Sequence, residues 1–446
     1  MARGPFSGMP SADEGAFKRL VASINPVWIE QALAATGTAT LRTRRLPAEQ
    51  VIWLVLGMAL YRDRPIDDLV HRLDLVLPGV DDDVSVAKSA VAQARARLGD
   101  EPLRWLFEKC STKWATESAR RHAWRGLALY GVDGTTVRVP DSTANRAYFG
   151  GQDAGAKRGA SGYPLARVVT LMALRSHMLL AARFGPYGSE IGYAKELWSL
   201  VPANSLTIVD RGFLDAKILV PLARDGSRHW LTRAKSSTTY EFIRELAPGD
   251  ELVELTVSGD ARAADPSLPK TFQARAITYQ RPGFAPQLLL TSMLDRKAFP
   301  AKEIVALYHE RWELELGFDE VKTDMLDRQE AIRSKTPKGV AQELWAVGLA
   351  YNLVRLEMER VADEAAVPPN RVSFVMALRL IRDEWMWSSA TNSPGAIPAH
   401  LRRLREDIAR FILPERRQRT QPRAVKLKMS SYPRKRPAVA PRKTAK

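Results

Sequence analysis

Apolar side chains along this chain change their spacing twice, and those changes divide it. From about residue 13 to 120, Ile, Leu, Val and Trp recur every three or four positions. Ile29 to Ala35, Ala48 to Tyr61 and Ile66 to Leu77 are therefore predicted helices. Ser85 to Arg97 is Ala-rich, with basic residues on its later turns. It suits a recognition helix of a helix-turn-helix-like unit, or, as more such helices do, packing in a bundle. Near Trp124 the spacing shortens. Leu127 to Asp133 and Thr135 to Val139 read as two strands around Asp133-Gly134, a dipeptide that favours hairpin turns. Arg167 to Arg175 and Met178 to Phe184 suit paired strands, Leu206 to Asp210 a compact buried strand and Trp230 to Ala234 another. Glu190 to Val201 and Leu214 to Asp225 read as helices between them. Lys235 to Pro286 is turn-rich and alternating, with strands such as Glu251 to Val257 and Thr271 to Tyr279. Gln287 to Leu294 returns to an apolar strand, and Pro300 opens a helix. Long helices follow over Pro337 to Ala366 and Ser373 to Arg405. The pattern predicts an α/β core with a mostly β insertion, flanked by N- and C-terminal helical regions.

Length and composition narrow the setting. A chain of 446 residues accommodates two to four domains, and 45% hydrophobic residues with 11 Trp point to a folded protein. The formal charge of +17 is uneven: from Pro414 to Lys446 twelve Lys or Arg face a single acid, Glu415. A mixed-charge body with a basic, Pro-rich tail, expected to be disordered, fits a polyanionic partner, or a tail that only solubilises. Cys110 is the only cysteine, which rules out an intrachain disulfide and favours a reducing compartment. The six His are too scattered for zinc spacing. The longest apolar run, Val51 to Tyr61, is too short to span a bilayer, and the N-terminus has no signal-peptide core, so a cytoplasmic protein without membrane segments is expected. Gly150 to Gly162 is glycine-rich and basic but lacks GxxxxGK[ST], so it gives no support for a P-loop.

Candidate chemistry centres on Tyr308 to Lys322, YHERWELELGFDEVK. On one continuous helix at about 100° per residue, Tyr308, Arg311, Glu315 and Lys322 project within about 60° of one another. A carboxylate among an arginine, a lysine and a phenol suits a metal ion and a phosphate bound together. Asp133 and Asp210 each follow an apolar strand-like run and could complete a three-carboxylate site. Two divalent ions about 4 Å apart activate a water or 3′-hydroxyl and stabilise the leaving oxygen of a phosphodiester. Each acid also has a plainer reading. Asp133-Gly134 also fits a hairpin turn, Asp210 a cap for the segment after its strand, and Glu315 an ion pair with Arg311 four residues away. Asp319 lies near the same helical face as Glu315, and spacing does not choose between them.

Four pieces of this sequence together resemble the DDE transposases of bacterial insertion sequences, specifically the IS-four family. They are YGVDGTTVRVPDS around Asp133, TIVDRGF around Asp210, the Y-(2)-R-(3)-E-(6)-K spacing of Tyr308, Arg311, Glu315 and Lys322, and the stretch INPVWIEQALAATGTATLRTRRLPAEQVIWLVLGMALYR. The resemblance implies a ribonuclease-H-like core in which Asp133, Asp210 and Glu315, not Asp319, hold two Mg²⁺ ions, with Mn²⁺ as a possible substitute. Tyr308, Arg311 and Lys322 would grip phosphates at the transposon end, with Arg211, Arg233 and Lys235 matching more loosely. The implied layout is a helical DNA-binding domain over 1–120, core over 121–235 and 287–330, β insertion over 236–286, helical region over 331–413 and tail over 414–446. The implied reaction is cut-and-paste transposition on double-stranded DNA, at the terminal inverted repeats and then at target DNA, with a homodimer pairing the two ends. Two other readings stay open: a metal-dependent nuclease without strand transfer, and a DNA-binding derivative without chemistry.

Overall fold

The sheet is ordered around β1 (Ala128–Arg138), whose middle carries Asp133. The computed structural model describes residues 23–39, 46–73, 86–151, 162–281, 284–327, 332–391 and 397–415. Most of the glycine-rich loop, the end of the third predicted helix at Leu77, Ser85 and the basic tail from residue 416 lie outside them. The chain divides into two units. One is helical and includes Met1–Trp114, Glu320–Arg328 and Ala341–Glu415; the other carries the sheet and includes Ala115–Asp319 and Gln329–Val340.

In the sheet unit, β1 is joined by β2 (Leu165–Ala173), β3 (Leu179–Gly185), β4 (Ser205–Val209) and β5 (Arg228–Arg233). β1, β2 and β3 run antiparallel, whereas β4 is parallel to β1 and β5 to β4, giving the order β3-β2-β1-β4-β5. This is the ribonuclease-H-like arrangement. β4 is buried at all five positions, as the compact pattern over Leu206 to Asp210 predicts, and its Ser205 and Thr207 are buried with the apolar residues.

The predicted turn at Asp133-Gly134 is not formed. β1 passes straight through it, in unbroken register with β2 from Tyr130↔Ala173 to Arg138↔Leu165. A hairpin turn would need positive φ there, and Gly134 is not among the positive-φ glycines. Glycine serves another purpose: a Cβ on Gly134 would lie 2.6 Å from Cγ of Glu190.

The β insertion does not form a separate body. β6 (Glu241–Ala247), β7 (Asp250–Thr256) and β8 (Thr271–Tyr279) pair in antiparallel fashion, and β9 (Gln287–Thr291) joins β8 to β5. The sheet thus continues to nine strands. Inside the added part Arg275, fully buried, makes two 2.6 Å bonds to the Asp250 carboxylate and a third of 2.6 Å to the carbonyl of Phe299. Those partners satisfy a charge that would otherwise be costly to bury.

Three helical expectations are corrected. Glu190 to Val201 is helical only over Glu190–Ala194, with a separate short turn at Trp198–Leu200 ahead of Pro202. Ser373 to Arg405 is two helices, Phe374–Thr391 and Ile397–Ala409. The helix after Pro300 is interrupted as well. Ala301–His309 and Trp312–Asp319 are separated at Glu310-Arg311, where the Glu310, Arg311, Glu313 and Leu314 amides bond carbonyls three residues back at 2.8–3.2 Å. Beyond Asp319 the turn widens over Glu320–Met325 into a π-helix. The uniform 100° phase behind the predicted stripe therefore does not hold along its length.

In the helical unit, Ala48–Leu60 is buried at every position except Glu49, which accounts for its all-round apolar sequence. Lys88–Leu98 packs through Val91, Ala94 and Leu98, and its Arg95 is drawn into an ion pair of 3.2 Å with buried Glu343. That helix packs as the bundle reading expects. Among the described residues no helix is long and apolar enough to cross a membrane.

Candidate active site

The parallel pairing of β1 with β4 does the first part of the assembly. Val132 is in register with Val209, so Asp133 and Asp210 are the next residues on two neighbouring strands. Asp210 follows β4 directly and its Oδ1 accepts from the Gly212 amide at 2.6 Å, capping the short turn Arg211–Phe213. Its carbonyl accepts from Thr232 Oγ1 of β5 at 3.1 Å. A Cβ on Gly212 would lie 2.8 Å from that same Oδ1, and Phe213 is buried edge-on against Trp198 at 5.7 Å. The run Asp-Arg-Gly-Phe is thus a cap, an exposed cation, a close approach and an anchor. The capping role given to Asp210 on simple grounds is realised, in the position a ligand would need.

Asp133 accepts from its neighbour's amide, Gly134, at 2.8 Å. Burial pushes its carboxyl up to about 6, against that hydrogen bond and the nearby Arg311 charge, with Glu190 and Asp210 pushing the same way as burial. Arg311 donates to Glu315 at 2.9 Å, so the simple ion-pair reading of Glu315 is realised too. Burial works against the Arg311 charge, but Tyr308, Glu315 and Asp133 outweigh it and keep the guanidinium ionised. Burial likewise raises the Tyr308 phenol, which also feels Arg311, Arg233 and Asp210. Asp133, Asp210, Tyr308, Arg311, Glu315 and Arg233 therefore share one electrostatic neighbourhood at the ends of β4 and β5 and beside β1.

The remaining predicted residues lie as follows. Arg211 is exposed next to Asp210. Lys235 follows β5, its ammonium 3.5 Å from the Leu214 carbonyl. Lys322 lies on the wide turn Glu320–Met325, in the helical unit. There Glu320 accepts from Tyr351 Oη at 2.7 Å and pairs with buried Arg355, which fixes the start of that turn. Glu190 was not singled out from sequence. It stands against Gly134 and is held by Arg167 at 2.6 Å. Nothing in its local sequence marks it; only the fold brings it beside Asp133.

The donor chemistry suits a hard divalent cation, since carboxylate oxygens are the ligands Mg²⁺ prefers. Burial first, and then the two acids Glu190 and Asp210, raise the proton affinity of Asp133, and a cation would relieve the repulsion among the three carboxylates. Among the described residues, however, no three Asp, Glu, His or Cys side chains already converge as a metal cage. Glu315 is turned to Arg311, which occupies the role of counter-charge.

Residues 14–108 match the insertion element 4 transposase N-terminal family, and residues 126–353 match the transposase DDE domain family. The transposase InsG for insertion sequence element IS4 of Escherichia coli K12 is 40% identical over 413 residues, covering 92% of each chain. InsZ of the same strain is 38% identical over 218 residues, 48% of this chain and 71% of its own. Among solved structures, a cryo-EM piggyBac transposase synaptic complex with hairpin DNA is 14% identical, with a TM-score of 0.39 over 90% of this chain and 85% of that one. A likeness that low carries no weight here.

Proposed function

The chain belongs to the DDE transposases related to insertion element 4, and on that premise we propose how its residues carry out DNA transposition. Asp133, Asp210 and Glu315 hold two Mg²⁺ ions, for which Mn²⁺ substitutes. The supporting observation is the adjacency of Asp133 and Asp210 on parallel strands, with Arg311 close enough to Asp133 to act on its charge and bonded in turn to Glu315. Bound there, the metal activates a water or 3′-hydroxyl and stabilises the leaving oxygen.

The chain's own residues prepare the site in two ways. Arg311 neutralises Glu315 and eases the charge on Asp133 until DNA arrives. It then transfers to a phosphate of the transposon end, and Glu315 is released as a ligand. Tyr308 grips phosphate as well, with Arg211, Arg233 and Lys235 adding contacts, so that the scissile bond is held for in-line attack, and Lys322 likewise serves as a phosphate ligand. Hydrolysis at each end exposes a 3′-hydroxyl, which then attacks target DNA. The substrates are double-stranded terminal inverted repeats and target DNA, brought together by a homodimer. The helices of residues 1–120 contribute DNA binding, and the tail over 414–446 adds non-specific phosphate contacts. The protein works in the cytoplasm, at the nucleoid when bound to DNA.

The test is a supercoiled plasmid carrying the element's own ends, incubated with Mg²⁺ and either wild type or Glu315→Ala. Excised and joined products from wild type alone are expected. Cleavage without joining would favour a nuclease. DNA binding without cleavage by either protein would favour a non-catalytic derivative.

A further inference from the structure

The break between the Ala301–His309 and Trp312–Asp319 helices has no cause in its own sequence. Glu310, Arg311 and Trp312 are neither Gly nor Pro, and the run would otherwise continue as one helix. The turn between β2 and β3 grips the segment at three points. Arg175 forms a two-pronged ion pair with Glu310, Nε to Oε2 at 2.9 Å and Nη2 to Oε1 at 2.8 Å. Its Nη1 is anchored on the carbonyl of His122 at 3.0 Å, so the guanidinium plane is fixed from both sides. His177 Nε2 lies 2.7 Å from Glu313 Oε2, with the imidazole wholly buried. Between these polar clamps, Leu174 and Leu314 pack over Gly131 of β1. A Cβ there would lie 2.7 Å from Leu314 Cδ1 and 2.9 Å from Leu174 Cδ2.

The anchored positions, 310, 313 and 314, bracket Arg311 and immediately precede Glu315. His177 also adopts φ +58, a left-handed backbone uncommon for a non-glycine residue, at the turn that carries these contacts. The grip also neutralises Glu310 with a cation and hydrogen-bonds Glu313, two carboxylates that would otherwise add negative potential next to Glu315.

We propose that Arg175 and His177 are positioning residues for transposition: by holding Glu310 and Glu313 they set the helix break, and with it the direction in which Arg311 and Glu315 face Asp133. This rests on the assignment of Glu315 above.

The experiment compares full-length wild type, Arg175→Glu, Glu310→Arg, the double variant with both changes, His177→Gln, His177→Leu and Glu315→Ala. For each, urea unfolding, the Kd for transposon-end DNA and the single-turnover cleavage rate at saturating DNA are measured. Misplacement by about 1 Å costs about 100-fold in rate, so Arg175→Glu and Glu310→Arg should each cleave about 100-fold more slowly with end affinity little changed. The double variant, which restores the pair with reversed sign, should recover most of that loss. His177→Gln, whose amide still donates to Glu313, should outperform His177→Leu. Single variants that cleave at the wild-type rate per folded molecule would overturn the proposal, as would a double variant no faster than either single. If the charge reversals fail to fold, the two His177 variants decide: equal rates for Gln and Leu would overturn it. Normal cleavage by Glu315→Ala would overturn the assignment of Glu315 and this proposal together, whereas an inactive Glu315→Ala beside an unaffected Arg175→Glu would overturn this proposal alone.

Discussion

Asp133 gives a prediction whose sign and size both follow from the site. Burial, assisted by Glu190 and Asp210, raises its carboxyl from the ordinary 3.8 to about 6. In the unfolded chain the group releases its proton near the ordinary value; in the folded protein it keeps it for about two further pH units. Between those values the unfolded state binds fewer protons, so stability falls as pH rises. The loss is complete by about pH 7, and at about 1.4 kcal/mol per pH unit it amounts to about 3 kcal/mol. Asp133→Asn removes the charge while its side-chain oxygen can still accept from the Gly134 amide. Urea unfolding at 25 °C from pH 4 to 8, with chelator present, should show wild type losing stability relative to Asp133→Asn across the middle of that range. Mg²⁺ should then restore wild type and leave Asp133→Asn unchanged. Parallel pH profiles for the two proteins would refute the argument, because they would mean that the carboxylate is not desolvated. A variant less stable than wild type at pH 8 without metal would refute it equally.

Three further predictions test the framework of the site. Gly131→Ala should overpack the contact with Leu314 and Leu174, destabilising by about 1–3 kcal/mol in urea unfolding and slowing cleavage. Arg275→Met leaves Asp250 charged and buried without its partner, and should cost about 3–5 kcal/mol. Adding Asp250→Leu to it should recover much of that loss, and no recovery would mean that packing, not charge, is at stake. Removing residues 416–446, which hold all twelve basic residues of the tail, should flatten the salt dependence of non-specific DNA binding. Titration of binding against NaCl by fluorescence anisotropy reads the slope, and an unchanged slope would show that the tail does not touch phosphate.

Local chemistry was legible in the sequence, and so was the order of the elements. LTIVD announced a buried strand, and Asp210 the cap of the segment that follows it. The spacing of Tyr308, Arg311 and Glu315 marked them as a group, and the structure joins Arg311 to Glu315 while both Tyr308 and Arg311 face the strand acids. These signals survive because a cap, a turn or a buried strand is decided by residues a few positions apart.

What failed to show was whatever depended on a partner far along the chain. Asp133-Gly134 has strong local preference for a turn, yet pairing with Thr170 and Val169 of β2 holds it extended. The helix after Pro300 reads as continuous, yet Arg175 and His177, more than a hundred residues earlier, accompany its break. Glu190 has no local mark at all and reaches Asp133 only through the fold. The insertion reads as a separate β segment, but β9 pairs with both β5 and β8 and makes it the far side of the same sheet. Sequence by itself determined the order of the elements and placed its candidate residues at strand ends and on the helical stretch after Pro300. The tertiary structure decided their phase, their charge state and their neighbours, because hydrogen-bond register, desolvation and ion pairing depend on groups that only folding brings within a few ångströms.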